Sequence, residues 1–387
     1  MKLRVLHVYR TFFPDTQGGT EEVIRTLAMG LPREHFEVMV LFPSRLVTEV
    51  EESAWGGVRI CRVPELFEIA SCNVFLRGLG AYRHWAAWAD VVHYHFPWPF
   101  ADLLHLCALP QPRSRSVLTY HADIVRQRFL GWLYAPLMRR FLGSVDRIVA
   151  TSEAYAQSSP VLASLQQPID VIPLGIDAAR LPVQRPERLA HWRERCGQNF
   201  FLFVGVLRYY KGLDVLLHAV AGTALHVVIV GDGPQGPRLR DLAARLGAAN
   251  VLFTGRVDDA DKYALLALSR AFVFPSNRRA EAYGVALLEA MSFARPLLTC
   301  YIGTGVNFVN VPGETGLSVA PDDPLALRGA MERLAADDAL CARLGRGARE
   351  RVESVLAAKT MVQAYANLYE SVCAPSPVGR ERQDAAS

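Results

Sequence analysis

Short apolar runs alternate with stretches of helical period along almost all of this 387-residue chain. In the first half the runs are Arg4–Val8, Glu37–Phe42, Val91–Tyr94, Ser116–Tyr120, Arg147–Thr151 and Asp170–Ile172. In the second they are Phe200–Val204, His226–Val230, Val251–Thr254, Ala271–Phe274 and Pro296–Cys300. Runs this short and this apolar read as strands buried on both faces. Helical patterns such as Leu213–Val220, Pro237–Leu246 and Pro324–Ala336 fill the gaps. Strands separated by helices must return in the same direction, which predicts doubly wound parallel sheets.

The chain is too long for one ordinary core, so two such domains are expected. The seam is placed near Leu174–Asn199, a charged stretch holding Gly175, Pro182 and Pro186. The expected division is a first domain over 1–176, a linker over 177–198 and a second domain over 199–356. A final helix, 357–372, would pack back on the first domain, and 374–387 would be a frayed polar tail. At 51 % apolar residues the chain can fill two cores. A net charge of +4 without a concentrated basic run argues against a nucleic-acid partner. Seven scattered cysteines, none in a C-x-x-C pair, suit a reduced, cytosolic protein. No run of 18 apolar residues suggests a membrane span.

Glu281-Ala-Tyr-Gly-Val-Ala-Leu-Leu-Glu289 carries the most specific chemistry. It follows a strand ending at Pro275 and runs into a helix, with Gly284 between. A helix start offers free amides and a positive dipole end, which suit phosphate. Carboxylates only accept hydrogen bonds and hydroxyls can donate them, so Glu281 and Glu289 suit sugar hydroxyls. Together these features predict a sugar nucleotide.

Other constellations lie near predicted strand ends, where open α/β sheets bind ligands. Gly18-Gly19 could admit a bulky anion, with Thr20 as the expected N-cap of the next helix. Arg208 and Lys211, three apart, could clamp a diphosphate. Gly231, Gly233 and Gly236 match G-x-G-x-x-G, which raises a dinucleotide enzyme. The fingerprint normally marks the first βα unit of its domain, and here it is the second. Asp259-Ala-Asp261 could hold a divalent metal; without a third acid or a histidine close by, a nucleobase-facing loop is the better reading. His121 ends a strand and could meet a sugar hydroxyl. His93 and His95 share a strand face but find no third ligand in the sequence, so no metal is expected. Val125–Val149 mixes Phe129, Leu130, Trp132, Leu133 and Phe141 with Arg126, Arg128, Arg139 and Arg140. That mixture suits either a membrane interface or an ordinary amphipathic helix, and Leu76–Trp88 is similar.

Taken together these residues resemble the large retaining glycosyltransferase family four. The resemblance rests on Glu281 and Glu289, Gly18-Gly19, Lys211-Gly212, Val230-Gly-Asp-Gly-Pro234 and Ile172-Pro-Leu-Gly-Ile-Asp177. It implies the GT-B fold, two doubly wound Rossmann-like α/β domains facing a cleft, and it explains the Gly231–Gly233 run without NAD. Leu207–Leu213, Pro14–Gly19 and Ile302–Asn307 resemble bacterial O-antigen mannosyl- and rhamnosyltransferases. Those enzymes use a GDP-sugar donor and an undecaprenyl-diphosphate-linked glycan, which implies a cytoplasmic enzyme, peripheral on the inner face of the cytoplasmic membrane, with no metal cofactor.

The resemblance implies roles residue by residue. Arg208 and Lys211 would neutralise the leaving diphosphate, and Gly284, Val285 and Ala286 would offer helix-start amides. Glu281 would hold donor-sugar hydroxyls, Glu289 the ribose, and Arg256, Val257, Asp259 and Lys262 would line the nucleobase. His121 would touch the donor sugar, and Gly18 and Gly19 the diphosphate. In one respect the chain departs from the family. The arginine that usually follows the strand-ending glycine is Val206 here, and Arg208 comes two later. A UDP-sugar transferase, a nucleotide-sugar epimerase and a non-catalytic partner of a larger synthase are the competing readings.

Overall fold

The computed structural model describes residues 2–69, 72–107, 114–124, 128–178 and 181–374. The chain divides into two compact units. The first comprises Met1–Ala150, Ser164–Ile172 and Lys359–Ser387; the second comprises Thr151–Ala163 and Pro173–Ala358.

The first unit contains β1 (Leu3–Val8), α1 (Gly19–Gly30), β2 (Phe36–Ser44), β3 (Glu51–Trp55), β4 (Val58–Pro64), β5 (Phe67–Ile69) and β6 (Cys72–Val74). It continues with α2 (Leu79–Trp88), β7 (Val91–Phe96), α3 (Pro99–Cys107), β8 (Arg115–Tyr120), α4 (Arg128–Leu142) and β9 (Arg147–Ala150). Helix α5 (Glu153–Ser158) belongs to the second unit, and β10 (Ile169–Val171) returns to the first. The sheet order is β10-β9-β8-β7-β1-β2-β4-β3, parallel except for β3. The sequence pattern misses β3 and β4. Strand β3, Glu-Glu-Ser-Ala-Trp, has no apolar run; it is an exposed edge strand held by its ladder to β4 and by Arg62–Glu51 at 2.6 Å.

The second unit holds α6 (Pro186–Cys196), β11 (Phe201–Val204), α7 (Leu213–Val220), β12 (Val227–Val230), α8 (Gly236–Arg245), β13 (Val251–Gly255) and α9 (Asp259–Leu268). Then follow β14 (Ala271–Phe274), α10 (Val285–Ser292), β15 (Leu297–Cys300), α11 (Gly305–Val309), β16 (Gly316–Val319), α12 (Pro324–Ala336) and α13 (Asp338–Ser354). Its sheet, β13-β12-β11-β14-β15-β16, is parallel throughout. Strands β12, β14 and β15 are buried along their whole length, so each large apolar side chain there contributes about 1.5–3 kcal/mol. Caps set the helix starts: Asp258 accepts from the Asp261 amide at 2.8 Å before α9, and Asp323 from the Ala326 amide at 2.9 Å before α12.

The expected linker over 177–198 needs correction. Its second half is α6, whose Trp192 is buried, and whose Arg188 pairs with Asp258 and Asp261 at the start of α9. A charged surface disguises a helix that docks through one aromatic residue. The last helix, α14 (Ala358–Cys373), lies from Lys359 onward in the first unit, where Tyr369 hydrogen-bonds His93 and Tyr365 hydrogen-bonds Thr119, each at 2.7 Å. The expected tail lies outside the described residues from 375 on.

Candidate active site

Numbered from β11, the strand order of the second unit is 3-2-1-4-5-6. The order reverses between β11 and β14, and the loops leaving such a pair turn to opposite sides and open a crevice at the carboxyl edge. Lys211 lies in the loop after β11, and Glu281 in the loop after β14. The Lys211 ammonium donates to Glu281 Oε2 at 2.5 Å, and Ser276 Oγ donates to the same oxygen at 3.1 Å. Both charged residues are buried, and Lys211 Nζ sits 4.4 Å above the Phe274 ring. The two loops are also tied by their backbones, with the Asn277 amide donating to Tyr210 O at 3.0 Å. Arg208 is exposed and makes no ion pair among the described residues. The two cations therefore differ in kind: one is built into the core of the site, the other is free to reach a ligand.

Glycines shape this edge by close approach. Gly212 has φ +63°, and a Cβ there would lie 2.0 Å from Pro275 O. Gly231 and Gly233, the dinucleotide-like pair, press the loop after β12 against the loop after β11. A Cβ on Gly231 would lie 2.1 Å from Gly205 O, and one on Gly233 would lie 2.7 Å from Leu207 N. Backbone bonds Gly205 N to Val230 O, Leu207 N to Asp232 O and Gln235 N to Leu207 O, each 3.0 Å, seal the pair of loops. Gly231 and Gly233 are thus needed for backbone packing between these two loops.

Gly284, at φ +83°, caps α10 in the left-handed region, and Val285 and Ala286 are its first two residues. Their amides precede any helical acceptor. Glu289, one turn on, accepts from Lys262 Nζ at 2.6 Å and from Tyr263 OH at 3.4 Å. Burial works against the Lys262 charge, but Glu289, Tyr263 and Asp259 outweigh it and hold the ammonium above its ordinary value. Asp259 and Asp261 lie in the first turn of α9, correcting the expected loop. Asp259 faces Lys262 at 3.0 Å and Asp261 faces Arg188 at 2.6 Å, so the two carboxylates serve different cations. Arg256 is exposed and Val257 half-buried, directly after β13. The Ile302–Asn307 motif is a tight turn: Asn307 Oδ1 accepts from the amides of Ile302 and Gly303 at 3.0 and 2.9 Å, and the Gly305 amide donates to Ala282 O at 2.8 Å beside Glu281.

In the first unit Gly18, not Thr20, is the N-cap of α1, and its backbone is extended. Its lack of a side chain matters because a Cβ would fall 2.6 Å from Glu21 Oε2. Glu21 is buried and accepts from Thr11 and Thr16 at 2.8 and 3.2 Å, a brace for the Gly18-Gly19 loop that sequence reading missed. His93 and His95 also gain a neighbour. Strand β1 lies beside β7 with His7 opposite His93, so three buried imidazoles gather, with nitrogens within 4.8 Å of one another. Five of their six nitrogens are hydrogen-bonded. His121 follows β8 at the carboxyl edge and is half-buried.

The stretches read as membrane-facing divide. Trp85 is buried, donates to Glu52 at 3.2 Å and lies under Arg59, so α2 uses its tryptophan internally. On α4, Phe141 is buried while Leu133, Arg139 and Arg140 are exposed. Arg126 lies outside the described residues, as do the side chains of Arg128, Phe129, Leu130 and Trp132. Among the described residues no helix is long and apolar enough to cross a membrane.

Residues 17–180 match the family described as Glycosyltransferase Family 4, and residues 184–351 match Glycosyl transferases group 1. The chain is 45 % identical to the O-antigen chain mannosyltransferase C of Escherichia coli, over 96 % of this chain and 99 % of that protein. This chain belongs to glycosyltransferase family 4. The D-rhamnosyltransferase WbpZ of Pseudomonas aeruginosa is 46 % identical, over 92 % of this chain and 93 % of that one. The fold also matches HepE of Anabaena, solved in complex with UDP and glucose, at a TM-score of 0.75 and 18 % identity, covering 95 % of this chain and 100 % of that one. The family 4 enzyme described here thus has the GT-B fold of two Rossmann-like domains. Its activity is glycosyl transfer, and the dehydrogenase and non-catalytic readings fall away.

Proposed function

We propose that this glycosyltransferase moves mannose or rhamnose from a GDP-sugar to a lipid-linked glycan, with retention of anomeric configuration, in O-antigen or related polysaccharide synthesis. The observation that carries this reading is its 45 % identity, end to end, to an O-antigen mannosyltransferase. The Lys211–Glu281 pair at the sheet's switch point supports it chemically.

In this reading the diphosphate lies along the crevice beside β11 and β14. Arg208 and Lys211 offset the charge that builds on the leaving phosphate as the bond to the anomeric carbon breaks. The amides of Val285 and Ala286 at the start of α10 add donors to the same diphosphate. The acceptor hydroxyl oxygen bonds to the anomeric carbon on the same face, and its proton passes to the leaving phosphate oxygen. Neither glutamate acts as a base. Glu281, already held by Lys211 and Ser276, grips sugar hydroxyls. Glu289, held by Lys262, grips the ribose. Arg256, Val257, Asp259 and Lys262 flank the nucleobase, and His121 meets a donor-sugar hydroxyl. No metal takes part. The acceptor's lipid would place the enzyme on the inner face of the cytoplasmic membrane, and the exposed Leu133, Arg139 and Arg140 of α4 suit that surface.

A UDP-sugar donor is the second reading, favoured by the solved structure of HepE with UDP and glucose. A panel of GDP- and UDP-sugars with a lipid-linked acceptor separates the two by which nucleotide is released.

A further inference from the structure

Three histidines from three neighbouring strand positions form a continuous hydrogen-bonded line in the first unit. His7 Nδ1 lies 3.0 Å from His95 Nε2, and His95 Nδ1 lies 3.0 Å from His121 Nε2. The rings of His7 and His95, and of His95 and His121, are nearly parallel, at interplanar angles of 22° and 21°, with centroids 5.3 Å apart. One end of the line is closed: His7 Nε2 is buried with no hydrogen-bond partner among the described residues. The other end is open: His121 is half-buried at the carboxyl edge of the sheet, and its Nδ1 makes no hydrogen bond to a described residue. His93 packs against both inner rings, but its own nitrogens are taken by Tyr369 and Thr119 at 2.7 Å each, so it does not enter the line.

All four rings are held toward the neutral form. Burial lowers His7 and His121 to about 3, and lowers His93 and His95 well below their ordinary value. A neutral imidazole has one N–H and one lone pair, so the line can run in two directions only. If protons point from His121 toward His7, the line ends in a buried Nε2–H on His7 with no acceptor. If they point from His7 toward His121, it ends in a buried lone pair. Buried donors without acceptors are the rarer of the two orphans in folded proteins. The second direction also leaves His121 with its proton on Nδ1, the nitrogen at the open end.

We propose that His7 and His95 are positioning residues, which fix His121 as the Nδ1–H tautomer and so make it a hydrogen-bond donor to an oxygen of the sugar nucleotide. The role in turnover rests on the reading that His121 meets the donor sugar; the tautomer does not. A donor at that place selects an acceptor atom on the ligand, a sugar or phosphate oxygen. A neutral imidazole with a free lone pair would instead require a ligand hydroxyl to donate.

The test is two-bond proton–nitrogen correlation spectroscopy on the full-length protein labelled with 15N-histidine, with turnover measured in parallel. The wild-type protein should show His121 protonated at Nδ1 and bare at Nε2. In His7→Asp the carboxylate can only accept, so His95 must turn its Nε2–H toward it and the His121 signal should shift toward the Nε2–H form, with kcat/KM for the sugar nucleotide falling about tenfold, the scale of one hydrogen bond. His7→Asn places an amide N–H near the lost Nδ1–H and should restore both the tautomer and most of the activity; a merely structural role would not be rescued in this way. A wild-type His121 carrying its proton on Nε2 overturns the relay, and this result needs no variant to fold. An unchanged His121 tautomer in His7→Asp also overturns it. Wild-type turnover in His121→Ala, with the Nδ1–H form seen in the spectrum, overturns the role in turnover through the donor reading alone.

Discussion

Lys211 Nζ lies 2.5 Å from Glu281 Oε2, and the two residues are only 9 % and 7 % exposed. Their 70-residue separation in sequence is closed by the sheet order, which sets β11 beside β14. The pair is therefore set by the fold of the second unit itself. It also makes each partner a structural necessity for the other, because a buried charge left alone is costly. On sequence alone, Lys211→Ala is expected to cost orders of magnitude in turnover while sparing the fold; the buried pair argues against the second half.

Lys211→Ala should cost about 3–5 kcal/mol of stability as well as orders of magnitude in kcat, since it strands the Glu281 charge. Urea unfolding and turnover measured together check this. The double variant Lys211→Met/Glu281→Gln should regain most of the stability and none of the activity.

Arg208→Ala should behave differently. Its side chain is exposed and makes no ion pair among the described residues, so stability should change by no more than about 0.5 kcal/mol. If Arg208 supplies the charge that the family's usual arginine would place at Val206, kcat should still fall about 100-fold. An Arg208→Ala enzyme with normal turnover would leave Lys211 as the cation of the site.

Gly231→Ala should destabilise the second unit without touching any charged group. The new Cβ would meet Gly205 O at 2.1 Å, at φ +124°. The strain is worth about 1–3 kcal/mol, and relief would move the loop that carries Lys211. A lowered thermal midpoint with a raised KM for the sugar nucleotide is the expected pair of results.

Acidification should weaken the first unit. The folded-state values of His7 and His121 are lowered to about 3 from 6.5 by burial, so the unfolded chain binds the extra protons. Their stabilising contribution is full above pH 6.5 and is lost as pH falls toward the folded value, by up to about 1.4 kcal/mol per pH unit for each ring. Urea midpoints at pH 7.5, 6 and 5 should fall steadily. In His7→Asn the slope should be shallower by about one ring's share.

Much of this fold is readable from local pattern, and the limits are equally physical. Ala271–Phe274 and Pro324–Ala336 coincide with their strand and helix because burial on both faces and a proline start each leave a local mark. Glu281 and Glu289 were visible through spacing within one strand–loop–helix unit. Their partners were not: Lys211 is 70 residues from Glu281, and Lys262 is 27 from Glu289. His93 and His95 stood out by their period of two, but His7 joins them only through the β1–β7 register. The proline start at Pro186 and the aromatic Trp192 are the local marks of the docked helix in that charged stretch.

The most direct test is a donor panel with a lipid-linked glycan acceptor, reading the extended product, its anomeric configuration and the nucleotide released. GDP-mannose or GDP-rhamnose should give an extended lipid-linked glycan with retained configuration and stoichiometric GDP. Extension only from a UDP-sugar, with UDP released and no turnover of either GDP-sugar, would contradict the proposed donor.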